Sequence, residues 1–175
     1  MPQPADRSAP ININILMSKV RNEVAEAHSL SSIPHLELGK WHRFSTDGEI
    51  DPFLDKGWAE ADKHYRWIEG NSAKLNLPIK TDLTNFRLSI LAHSMNGESC
   101  PYQNVFVYWN NNPIAEWRIS HRGFFHALIL NNDPKIELQS LEFKCPTAIS
   151  PRTCGEGNDP RLLAIAIHTL AIQPI

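Results

Sequence analysis

From Ala73 onward, apolar residues fall at every second position. Ala73, Leu75 and Leu77 alternate with Lys74 and Asn76, and Phe86, Leu88, Ile90 and Ala92 alternate with Arg87, Ser89 and Leu91. Val105, Val107 and Trp109 share one face of a third segment, with Phe106 and Tyr108 on the other. Ile114–Ile119, with Trp117, and the two-sided apolar run Phe124–Leu130 follow; Ile136, Leu138, Leu141 and Phe143 make a further strand with a change of phase. A period of two predicts strands. Asn110-Asn111-Asn112-Pro113 and Asn131-Asn132-Asp133-Pro134 predict turns, because asparagine tolerates left-handed φ and proline presets its own. Seven or eight short strands with turn chemistry between them and no intervening helical period predict an antiparallel sandwich or barrel.

The stretch Ser150–Ile172 is the most informative. Ser150-Pro151, Gly155, Gly157 and Asp159-Pro160 punctuate a loop, and an almost wholly apolar run follows. Leu163, Ile165 and Ile167 keep one phase; Leu170 and Ile172 keep the other. An inward face that changes phase needs one extra residue, so a β-bulge is expected near His168-Thr169. Leu162, Ala164 and Ala166 on the opposite face carry no charge, as in a strand central to its sheet.

The N-terminal part reads differently. Met1–Pro10 is polar and proline-marked and is expected to be disordered. Ile13, Leu16, Met17, Val20, Val24 and Ala27 recur at helical spacing, opposite Lys19, Arg21, Glu23 and Glu26. Residues 1–34 are therefore assigned to a tail, an amphipathic helix and a linker, and residues 35–175 to the β domain. The helix stripe would dock on the domain, join a second copy into a homo-oligomer, or meet a membrane or partner; a single lysine and a single arginine make a poor membrane face. His35–Phe44, with Leu36, Leu38 and Trp41, reads as a short strand or a piece of chain packed on the sheet. The acidic loop Ser45–Lys56 contains Asp47-Gly48-Glu49 but lacks the ligand spacing of an EF-hand, and a solvated turn fits it better.

At 175 residues the chain is long enough for a substantial core, and a formal charge of −2 leaves no basic footprint for nucleic acid. The thirteen prolines suit a turn-rich chain. No transmembrane segment and no signal peptide are expected, which places the protein in the cytoplasm. Cys100, Cys145 and Cys154 are an odd number without a CxxC pair, and read as free thiols, with a Cys145–Cys154 bridge as the minor alternative.

Catalytic signatures are missing: there is no GxSxG, phosphate-binding glycine loop, GxGxxG or HExxH. His93, His121 and His126, with Cys100, could meet at one end of neighbouring strands, but without the spacing of a zinc site. No cofactor, metal or catalytic residue is assigned. Aromatic residues carry the other reading, since tryptophan and tyrosine faces stack on sugar rings while amides and charged groups read the hydroxyls. Tyr108, Trp109 and Asn111, and Trp117 with His121 and Arg122, are the candidate ligand-binding residues. The alternative for the tryptophans is burial in the core.

Trp58, Glu60, Arg66, Trp67 and Gly70, followed by alternating strands, and then Ser150-Pro151, Gly155 or Gly157, Asp159, Arg161 and Leu162, form an ordered series. In this the chain resembles the carbohydrate-binding-module-like jelly-roll domains that accompany bacterial surface-polysaccharide glycosyltransferases and methyltransferases. Ala164 departs from the pattern where glycine is expected. The resemblance implies a jelly-roll β-sandwich without catalysis, partnered by a glycan or a surface-polysaccharide enzyme. Physically, Glu60, Arg66, Asp159 and Arg161 could form a charge network joining the first and last strands, or a polar cleft for a sugar or acidic group. A scaffold or dimerisation module using Leu16, Val20 and Val24, and a small histidine enzyme with a metal, are the other readings.

Overall fold

Extended chain makes up almost all the regular structure of the computed structural model, which describes residues 34–175. The chain divides after Pro34. The expected N-terminal helix and the role of its Leu16, Val20 and Val24 stripe lie outside the described residues.

Ten strands follow in order: β1 (His42–Arg43), β2 (Trp58–Ala61), β3 (Arg66–Glu69), β4 (Ser72–Pro78), β5 (Phe86–Ser94), β6 (Gln103–Trp109), β7 (Asn112–Ile119), β8 (Gly123–Ile129), β9 (Leu138–Lys144) and β10 (Leu163–Pro174). A short helix, α1 (Pro151–Cys154), precedes β10. One sheet runs β2-β3-β10-β5-β8, with β1 also pairing β10; the other runs β4-β9-β6-β7. Every pairing is antiparallel. Apart from the β2–β3 and β6–β7 hairpins, successive strands from β2 onward alternate between the sheets, which is jelly-roll topology.

The inward rows meet as expected from the alternation. Leu75, Leu77, Val105, Val107, Leu141 and Phe143 face Leu88, Ile90, Ile165, Ile167, Leu170 and Ile172, all fully buried. Asn110 and Asn111 both have positive φ (48° and 66°), forming the two-residue β6–β7 hairpin turn that twisted strands favour. Trp58 Nε1 donates to the Lys74 carbonyl at 2.8 Å, and its ring lies between Phe44 and Phe143. Gly57 precedes it with φ +81°, and a Cβ there would sit 1.9 Å from the Ser72 oxygen. The Gly-Trp pair is thus an inter-sheet fastening.

One strand departs from its sequence reading. β9 pairs β4 in unbroken register and contains no phase change. Gln139 takes the inward place beside Leu141 and Phe143 and is 1% exposed, while Ile136 and Leu138 stay on the surface. Buried Gln139 is satisfied by Asn110, whose side-chain amide donates to it, and by the Ile136 carbonyl. All three cysteines are free; burial pushes the Cys145 thiol up to about 12, leaving it unreactive.

β10 is central and carries the bulge. Ile167 pairs Ala92 and Thr169 pairs Leu91, so His168 is the extra residue. Ile165 and Ile167 before it, and Leu170 and Ile172 after it, all face the core. On the other flank, β3 pairs with the first half of β10, as far as Ile167, and β1 with Thr169 and Leu170. The bulge therefore sits where the neighbouring strand changes from β3 to β1.

Candidate functional site: a cleft at the bulge

A bulge turns two successive side chains to the same face. His168 and Thr169 both point to the outer face of β10 and, with Leu91 of β5, floor a cleft of about 970 Å³. Its walls gather at the strand junction: Arg43 at the end of β1 with Ser45–Asp47 of the loop that follows, Lys63–Tyr65 between β2 and β3, and Arg122 between β7 and β8. The acidic turn is held by Arg43, which binds Asp47 at 3.3 Å and Glu49 at 3.5 Å. The Ser45 hydroxyl donates to Asp47 at 2.8 Å, and with Arg43 it holds the Asp47 carboxyl below its usual range.

Beside the cleft lies a cluster of four rings. Ala166 has Trp67 on one side and His93 on the other. Its methyl group leaves room above the sheet, and the two flanking rings close over it with centroids 5.0 Å apart. Tyr65 packs edge-on against Trp67, His93 and His168 at 5.9, 5.0 and 5.3 Å. Tyr65, Trp67 and His93 are half-buried, so the cluster keeps aromatic surface exposed.

The hydrogen bonds define the histidine tautomers. His168 Nδ1 lies 3.1 Å from the His64 carbonyl, which can only accept. In neutral His168, Nε2 must then accept, and His93 Nδ1 donates to it at 2.9 Å. Burial and the Arg122 charge pull His168 down to about 4. The same two causes lower His93. Both rings are therefore neutral at pH 7.

The residues singled out in the sequence are dispersed. Trp109 and Trp117 are core side chains, 4% and 8% exposed; Trp109 Nε1 donates to Asn132 Oδ1 at 2.8 Å and Trp117 Nε1 to the His126 carbonyl at 3.1 Å. With so little exposed surface, neither presents a whole ring face to solvent. Tyr108 lies on the outer face of the other sheet, its ring covered by Lys144 Nζ at 4.4 Å. Asn111 is in the hairpin turn before β7, whereas His121 and Arg122 follow that strand at its other end. Only Arg122 of these six lines the cleft.

The proposed charge network is two separate arrangements. Arg66, inward on β3, binds Asp51 at 2.8 Å, while Arg161 binds Asp159 at 2.7 Å and Glu69 at 3.6 Å. Among the described residues Glu60 has no ion pair. Ser150 caps α1, its hydroxyl accepting from Thr153 N–H, and Pro151 begins it. The motif residues at this end thus shape the entry to β10.

Nor do His93, His121 and His126 gather with Cys100. His93 pairs with His168; His126 pairs with Ser89 at 2.8 Å and His121 with Ser120 at 3.1 Å. Cys100 lies within bonding reach of Gln103 and the Tyr102 carbonyl. No group of three metal-ligating side chains occurs among the described residues. The cleft was missed because its parts are far apart in sequence, yet one signal was available: the extra residue of the bulge is a histidine.

No protein-family model matches the chain, and no curated protein matches it. Solved structures similar to it include the CBM36-1 domain of a multidomain xylanase from the hindgut metagenome of Trinervitermes trinervoides, with 10% identity, 76% of this chain and 94% of that one covered, and a TM-score of 0.46. A CBM35 from Paenibacillus barcinonensis has 10% identity, 77% and 98% coverage and a TM-score of 0.41. At this distance the likeness assigns no ligand to the chain.

Proposed function

We propose that this domain is a non-catalytic carbohydrate-binding module that receives a sugar in the bulge cleft and serves a bacterial surface-polysaccharide enzyme complex in the cytoplasm. The observation that carries the reading is the half-exposed cluster of Tyr65 and Trp67 beside a polar cleft. Aromatic faces supply apolar contact to a sugar ring, and the Thr169 and Tyr65 hydroxyls, the Lys63 ammonium and the Arg122 guanidinium supply groups to read its hydroxyls. Binding rather than chemistry is favoured by the tethering of His168 at both nitrogens and by the closure of Ser89, 1% exposed, beneath its His126 partner. The association with a polysaccharide enzyme rests on the ordered Trp58-to-Leu162 series.

A glycan array, repeated with native surface polysaccharides, tests the reading. Bound sugar should shield the half-buried Trp67 from acrylamide quenching, and Tyr65→Ala and Trp67→Ala should abolish binding. Loss of binding in neither variant, or no binding to any glycan, would remove it.

A further inference from the structure

The cleft is electrically unbalanced. Arg43, Lys63 and Arg122 bring three cations to it, and among the described residues Asp47 is its only lining carboxylate. Asp47 is already engaged by Ser45 and Arg43, and Arg43 is engaged by Asp47 and Glu49. Among the described residues, the Lys63 and Arg122 side chains have no ion pair. They reach the rim from different loops, over a floor whose histidine is neutral. Two uncommitted cations converging on a cavity favour an anion, and a guanidinium suits a planar or tetrahedral oxyacid.

We infer that the cleft seats an acidic group carried on a sugar, a carboxylate or a phosphate, between Arg122 and Lys63, with the sugar ring against Tyr65. This rests on the carbohydrate reading. It also has a signature of its own. The Arg122 charge helps to hold His93 and His168 below the ordinary histidine range. An anion on Arg122 offsets that charge, so both histidines should titrate at higher pH when it binds. Of the other charged groups around the cleft, Lys63 and Arg43 carry the same sign as Arg122, and Asp47 and Glu49 the opposite sign. His64 contributes its carbonyl to His168.

The test is histidine NMR on the full chain, titrated with glucuronate, glucose 1-phosphate, methyl glucoside and inorganic phosphate alone. The acidic sugars should bind at least about tenfold more tightly than the neutral one, as expected for a charge-assisted hydrogen bond. They should raise the titration midpoints of His93 and His168. Arg122→Gln should remove most of the tenfold advantage and the upward shift; Lys63→Gln should weaken both. Thermal melting should show both variants folded. Preference for glucuronate identifies a carboxylate, and preference for the phosphate ester a phosphate. Equal binding of neutral and acidic sugars, or acidic binding unchanged in Arg122→Gln, overturns the inference and leaves the carbohydrate reading standing. Inorganic phosphate binding as tightly as its sugar ester overturns the carbohydrate reading and with it the sugar half of the inference, leaving an anion site alone. No response to any probe overturns both.

Discussion

Deleting a residue from the central strand of a sandwich ordinarily flips every side chain beyond the deletion to the wrong face. His168 should be the exception. Ile167 already pairs Ala92 and Thr169 already pairs Leu91, so removing His168 joins two halves whose registers agree. Ile165, Ile167, Leu170 and Ile172 all remain inward. The losses are specific: the bond from His93, the bond to the His64 carbonyl, and the Phe44 N–H bond to the His168 carbonyl at 2.9 Å. At about 1 kcal/mol each, the deletion should cost about 3 kcal/mol. For a domain of this size that lowers Tm by about 10 °C. Deleting Ala171 instead would bring Gln173 to the inward place of Ile172. Losing a buried isoleucine costs about 2–5 kcal/mol and burying an unpaired amide about 1–3 kcal/mol more. The sum approaches the whole stability of an ordinary domain, about 5–15 kcal/mol. Calorimetry and far-ultraviolet circular dichroism on the two deletions decide the matter. If the His168 deletion is unfolded, or melts no higher than the Ala171 deletion, the bulge is not a register-neutral insertion and the reasoning fails.

Other expectations follow from the same geometry. His168 titrates near 4 in the folded chain against about 6.5 when unfolded, so between these values the unfolded chain binds more protons. Its contribution is complete above about pH 6.5 and is lost as pH falls toward 4; urea midpoints across that range should be less pH-dependent in His168→Gln than in the parent. Gly57→Ala forces a Cβ against the Ser72 oxygen at positive φ and should cost more than about 3 kcal/mol, whereas Gly155→Ala, with open space around its Cβ, should cost about 1 kcal/mol. Chemical denaturation compares the two. Trp117→Ala should destabilise by about 3–5 kcal/mol, while Tyr108→Ala on the outer face should shift Tm little; equal losses would contradict their placement.

The architecture was legible because burial on one face imprints a period of two, and because asparagine and proline mark the turns. The bulge was legible for the same reason: a phase change in an apolar run has few structural meanings. The identical signal misled in β9, where buried Gln139 reads as polar and therefore outward. Its amide is admitted to the interior by hydrogen bonds that no periodicity reveals. The tryptophans were ambiguous for a related reason. An indole serves a core and a sugar platform equally well, and Trp109 and Trp117 lie inside because their strands turn them inward. The cleft was hidden more deeply. Its floor belongs to β5 and β10 and its walls to three loops distant in sequence, so only the topology brings Arg122 toward His168. The charge network formed in part: Arg161 met Asp159, whereas Arg66 found Asp51, a residue outside the motif, as its partner.

The placement of β10 in the middle of its sheet constrains how the chain acquires its structure. His42 must wait for Leu170 to gain its sheet neighbour, and Arg66 and Ile90, already paired with Ala61 and Phe125, must wait for Ile167 and Leu170 on their other side. Such high contact order predicts folding on the millisecond-to-second scale. Until the segment arrives, β5 keeps one edge unpaired, open to association with other chains.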